Sequence, residues 1–248
     1  RNITTTQVLT EIVDASVDAG GAVAATLTDN SSIKADTASV AASVAISSGV
    51  ALSGVVAVTL ADNQIGGTYR ASISDSDVDA LSGGVTVSAF ADNSIDALSL
   101  AVGISVSASS NFAGSAAVAG VIASNTLTNT LEASIFGSDV DATADVDVSA
   151  TDVSGINAQL ISAAASVAAS STGAVAISIS ATVATNSIGG DLLATIDDSP
   201  VDTTGGAVTV AALSDTEIDA IAAAISMSVA VSGTASVSGA GAGAYASN

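Results

Sequence analysis

The sequence predicts an all-β protein, a parallel β-solenoid (β-helix) built from four repeats of about 62 residues. Three observations point there. Equivalent residues return in register along the whole chain. Apolar residues alternate with period two rather than with the helical period. The apolar content, 49% of 248 residues, is mostly Ala and Val, with 2% aromatics and no Trp. Such a core is thin and must gain contact area by repetition instead of bulky anchors.

The repetition is seen in single columns. Ile12, Ile73, Ile135 and Ile196 recur, as do Val17, Val78, Val140 and Val201. So do Ile33, Ile95, Ile156 and Ile218, and then Val44, Val106, Val167 and Val229. Asn2, Asn63, Asn125, Asn186 and Asn248 complete the series. The chain therefore reads as one continuous repeat domain, 1–248, divided near 2–62, 63–124, 125–185 and 186–248. No capping unit is recognisable, so the stack is expected to continue in a longer chain or to pair with other copies of itself. The first residue is Arg, and a processed chain or a piece of a longer one is expected.

Within a repeat, "VTVSA" (85–89), "VGISVSAS" (102–109) and "VAISISATVA" (175–184) are strand-like, and Gly and Asn-Ser pairs punctuate them. Five or six short strands per repeat are expected, and no helix. The first part of each repeat, such as 71–96, holds nearly all the acids. The second part is uncharged over 98–131, 153–190 and 220–248. There both alternating faces are apolar or small. Either both faces are covered within the fold, or one face packs against a neighbouring molecule. The neutral stretches are long enough to span a bilayer, but they lack the aromatic girdles of membrane barrels, so no membrane insertion is expected.

Charge and composition exclude several functions. There are 24 acids against three bases, Arg1, Lys34 and Arg70, giving a net charge of −21. Nothing could neutralise nucleic-acid phosphates or an anionic lipid surface. With no His and no Cys, thiolate and serine–histidine catalysis and the usual zinc and haem sites are absent. Paired carboxylates occur only because Asp is common, and no aromatic sugar platform accompanies them. An enzyme is not expected.

The candidate metal ligands are aspartates. Asp18, Asp79, Asp141 and Asp202 form the one column with an acid in every repeat. Asp14, Asp75 and Asp198 form another, with Gly137 in the third repeat. On a straight strand Asp75, Asp77 and Asp79 would share a face. Calcium, the cation considered, needs six to eight oxygens and usually a curved loop, so a site would have to be shared between stacked rungs. The competing reading is a solvated acidic face that discourages lateral sticking. The Asn column has two readings, an internal amide ladder or a left-handed turn position. Asp-Asn, Ser-Asn and Thr-Asn pairs at apparent strand ends favour the turn.

The unit "ASI..S.VDA..GGVTVSA....IDA", followed by long Ala/Ser/Val strands and Asn, resembles repeats of very large bacterial surface proteins. These are filamentous, leukotoxin-like or haemagglutinin-like adhesins and other β-strand repeat-containing proteins. The resemblance implies a secreted, elongated β-solenoid stalk or fibre, extracellular or on the bacterial cell surface. It brings no active-site motif. The expected fold is a right-handed solenoid with parallel, in-register rungs. Three rungs per repeat would set equivalent columns roughly 14 Å apart, and one large rung about 4.8 Å apart. The lack of a sub-repeat favours larger rungs. The Asp79 column then becomes a close carboxylate ladder needing cations or raised pKa values. The leading functional expectation is a structural fibre or stalk whose partners are copies of itself, with any host or surface ligand undefined. The alternative is a calcium-dependent or ice-binding module. Ice binding needs a flat Thr array, and Thr4–Thr6 is the only run of three.

Overall fold

A computed structural model describes all residues, 1–248. Each repeat makes one complete rung, so the question of one or three is resolved in favour of one. The first rung comprises β1 (Asn2–Val13), β2 (Ser16–Ala19), β3 (Val23–Asp29) and β4 (Ser32–Ser47). The second comprises β5 (Val50–Ser74), β6 (Asp77–Ala80), β7 (Val85–Ala91) and β8 (Ser94–Ser109). The third comprises β9 (Phe112–Phe136), β10 (Asp139–Ala142), β11 (Val146–Asp152) and β12 (Gly155–Ser170). The fourth comprises β13 (Gly173–Asp197), β14 (Val201–Thr203), β15 (Val208–Ser214) and β16 (Glu217–Ser232), and β17 (Ala235–Ser247) follows. There is no helix, hence none able to cross a membrane.

All pairing is parallel and between equivalent strands, giving four sheets: β1-β5-β9-β13-β17, β2-β6-β10-β14, β3-β7-β11-β15 and β4-β8-β12-β16. The register follows the sequence columns residue for residue. Ile12 meets Ile73, and Val106 meets Val44 and Val167. A rung has four strands rather than the five or six expected. The missing boundaries lie inside the 25-residue strands, which run unbroken through Asn63 and through Gly66-Gly67. Those glycines looked like punctuation. Gly67 instead makes room for a side chain, because a Cβ there would collide with the Tyr69 ring.

The result is a long, flat solenoid. A 25-residue strand extends about 80 Å, whereas four rungs rise only about 19 Å. The second half of each long strand closes a triangular prism with the short strands, and Tyr69, Ile73, Val78, Val85, Val87, Leu131 and Ile135 fill it. The first half packs against the 16-residue strand as a two-layer slab.

The slab inverts the usual distribution of side-chain size. From β8 the inward residues are Ala101, Gly103, Ser105 and Ser107, and from β9 they are Ala113, Ser115, Ala117 and Ala119, all buried or nearly so. The outward residues of β8 are Leu98, Leu100, Val102, Ile104 and Val106. Small interior residues let the two sheets approach closely. At Gly103 a Cβ would lie 2.8 Å from the Val118 carbonyl oxygen of the opposite sheet. Hydroxyls between the sheets bond across the gap. Ser105 and Ser53 oxygens are 2.6 Å apart, Ser115 Oγ donates to the Ser105 carbonyl at 2.8 Å, and Thr59 Oγ1 donates to the Leu100 carbonyl at 2.9 Å. These bonds pair most of the hydroxyls between the sheets, and the Ser107 and Ser109 hydroxyls are left without a partner. Neither outer face of the slab is covered within the fold. Of the two arrangements considered for the two-faced strands, internal covering is thus ruled out.

Candidate functional site

The Asn column is a ladder, correcting the turn reading. Asn2 Nδ2 donates to Asn63 Oδ1 at 2.7 Å, Asn63 to Asn125 at 2.8 Å, Asn125 to Asn186 at 2.9 Å, and Asn186 to Asn248 at 2.9 Å. Asn63 and Asn125 are completely buried and lie mid-strand. The Asp-Asn, Ser-Asn and Thr-Asn pairs marked no strand ends, because the strand continues through them. The ladder sits on the long strand between slab and prism, where each amide must find partners or lie unpaired in an apolar layer.

A second polar knot lies where the short strand β7 hands over to β8. Asn93 Nδ2 donates to Asn129 Oδ1 at 3.2 Å and to the Tyr69 hydroxyl at 3.4 Å. Asn129 Nδ2 donates to Ser154 Oγ at 3.1 Å and to Asp152 Oδ2 at 3.3 Å. Burial and the Asp29 carboxylate push the Tyr69 phenol up to about 12. The sequence reading missed this knot, since Tyr69 and Asn129 are not repeated in their columns.

The acidic column is in register as the large-rung reading requires. Asp18 pairs with Asp79, Asp79 with Asp141, and Asp141 with Asp202 along β2, β6, β10 and β14. Adjacent strands place these carboxylates on a spacing of about 4.8 Å. Val17, Val78, Val140 and Val201 alternate with them and face the prism. None of the three bases helps. Arg1 reaches Asp62 at 2.9 Å, Arg70 lies between Glu132 at 3.1 Å and Glu11 at 3.8 Å, and Lys34 stands in the column of Asp96. Partial desolvation, a hydrogen bond shared with Asp18, and the charges of Asp77, Asp18 and Asp141 push the Asp79 carboxyl above its ordinary value of 3.8.

Asp75 stands apart from the other two, which corrects the expectation of a shared face. Asp77 and Asp79 do point outward together from β6. Asp75 precedes that strand in a turn, at φ 49°, with Asp14 at 49°, Asp198 at 48° and Gly137 at 58° in its column. This is the left-handed region, which Asp and Gly tolerate better than other residues. The Asp/Gly exchange in the sequence was thus a conformational signature rather than a ligand pattern. Ser76, Ser138 and Ser199 lock the same turn. Each hydroxyl donates to the carbonyl two residues back and accepts the backbone N–H of the equivalent residue in the preceding rung, at 3.1 Å. Recurrence of Ser in three of the four repeats was the available signal.

Together Asp14, Asp75, Asp77 and Asp139 line an open acidic groove of about 570 Å³. No three His, Cys, Asp or Glu side chains converge closely enough to hold a metal ion. The Thr run is divided: Thr4 and Thr6 turn inward and Thr5 outward, so it presents no flat array. Compared with known protein families, curated proteins and solved structures, the chain has no significant match.

Proposed function

We propose that the chain serves as a structural stalk or fibre segment of an extracellular or bacterial-surface adhesin, lengthened rung by rung. The observation behind this is axial self-complementarity. Every strand meets its equivalent residue for residue, and the Asn ladder gives each rung a buried donor and acceptor directed at its neighbours. Such an array extends without limit by nearest-neighbour pairing, whether the next rung belongs to the same chain or to another copy. On this reading its task is reach and rigidity, not chemistry. Concatenating several copies of the chain should give one straight rod that lengthens by about 19 Å per copy in electron micrographs. Separate beads would overturn the proposal.

A second reading, calcium binding along the Asp79 ladder, is favoured by the crowding of unneutralised carboxylates. A carboxyl raised in the fold contributes stability while protonated. That contribution is present below 3.8 and is lost as pH rises through the raised value. Melting temperature should therefore rise as pH falls from neutral toward the ordinary carboxylate range. Asp79→Asn should raise it at neutral pH and flatten its pH slope. Calcium should stabilise the wild type more than Asp79→Asn, and equal melting with and without chelator would remove calcium from the account.

A further inference from the structure

We propose that the outward face of the β4–β8–β12–β16 sheet is an interface for a second copy of this chain, packed face to face with the acidic prisms pointing in opposite directions. This lateral contact is additional to axial stacking. The face carries Val40, Ile46, Val102, Ile104, Ile225 and Met227, and Ile104, on an interior rung, is still 43% exposed. These residues do not build the chain's own core: behind them the inward positions are mostly Ala, Ser and Gly, and the large inward residues Ile33, Ile95, Ile156 and Leu160 lie nearer the starts of the strands. Between Asp96 and the turn at Ser110 there is no charge.

Size supports a second copy as the occupant. An apolar run of about 11 residues by four rungs covers roughly 36 by 19 Å, about 700 Å² on each copy. Two such faces give about 1,400 Å², within the range of specific, stable interfaces. Patches much beyond a few hundred Å² are seldom left to water. Charge sets the orientation. With a net charge of −21 gathered toward the prism end, parallel packing would bring two acidic ends together. Turning one copy by half a revolution overlaps the neutral slabs and separates the acids, the symmetric arrangement most homodimers adopt. The opposite slab face is less suited, because Gly54, Gly114, Gly120, Gly239, Gly241 and Gly243 thin its side-chain layer. Lipid is the competing occupant, since 11 residues also match a bilayer. Membrane strands carry aromatic belts, however, and β4, β8, β12 and β16 have no aromatic residue.

The test is the solution state of the full chain, by sedimentation velocity and small-angle scattering. The expected result is a pair with doubled thickness and unchanged axial length, whereas axial stacking alone would double the length. Ile104→Lys with Met227→Lys, exposed and in one column, should weaken pairing at least about a hundredfold while leaving the β circular-dichroism signal intact and making melting independent of protein concentration. Val58→Lys with Ile177→Lys on the opposite face should leave pairing unchanged. A monomeric wild type would overturn the proposal. So would pairing that survives the first double variant, or a monomer that floats with phosphatidylcholine vesicles.

Discussion

Asn125→Ala is expected to lower the stability of the fold by about 4 kcal/mol, seen as a drop in melting temperature of about 10 °C. The side chain is fully buried, donates to Asn186 and accepts from Asn63. Removing it leaves a buried amide donor on one side and a buried carbonyl acceptor on the other, each costing about 1–3 kcal/mol. Asn125→Asp separates a ladder from a mere spacer. Ionised, the new carboxylate still accepts from Asn63, but it faces the Asn186 oxygen without a proton and carries a buried charge. It should be worse than Ala at neutral pH. Its pKa will be raised, so its stability is recovered as pH falls, when the protonated carboxyl donates to Asn186. Indifference of both variants to pH and to melting would contradict the ladder.

The second large effect belongs to the spacing of the slab. Gly103→Leu is expected to cost more than about 3 kcal/mol, because its side chain would point at the opposite backbone, only 2.8 Å from Cβ. Gly103→Ala should cost about 1 kcal/mol. Ala41, Ala164 and Ser226 occupy the same column in the other rungs, so a small local shift accommodates a methyl group. Ile104→Ala, one residue along and facing outward, should change the unfolding free energy of the unpaired chain by less than about 1 kcal/mol. The ordinary rule for a core is thereby reversed. Enlarging a Gly destroys the fold, whereas truncating an Ile is tolerated. Denaturant titration of the three variants checks the order, and a larger loss for Ile104→Ala than for Gly103→Leu would refute it.

Much of the architecture was legible because stacking rungs in register converts sequence period directly into spatial columns. The absence of a sub-repeat pointed correctly to one rung per repeat. Which face lies inside was not legible. In "VGISVSAS" both faces are apolar or small, and hydrophobicity alone would have put Val102, Ile104 and Val106 inward. The choice is made by sheet separation, which a linear pattern does not encode. The Asp79 column was found as a column, and its proximity followed once the rung size was known. Asp75 was grouped with it because alternation continues through the letters, whereas the chain turns at Asp75. The Tyr69–Asn93–Asn129 knot joins residues from different columns, and a search down columns passes over it.

The Asn ladder has one more property. All four amide bonds point the same way, each Nδ2 donating to the Oδ1 of the following rung. The row therefore has a direction, like a line of magnets laid north to south. Rotating one amide by half a turn sets oxygen against oxygen on one side and nitrogen against nitrogen on the other, so the flips are correlated rather than independent. Hydrogen bonds in such a row also polarise one another. An inverted rung would present the wrong amide atom at the junction. The molecule thus carries an arrow along its stacking axis, and any further rung, from whichever chain, is obliged to arrive head to tail.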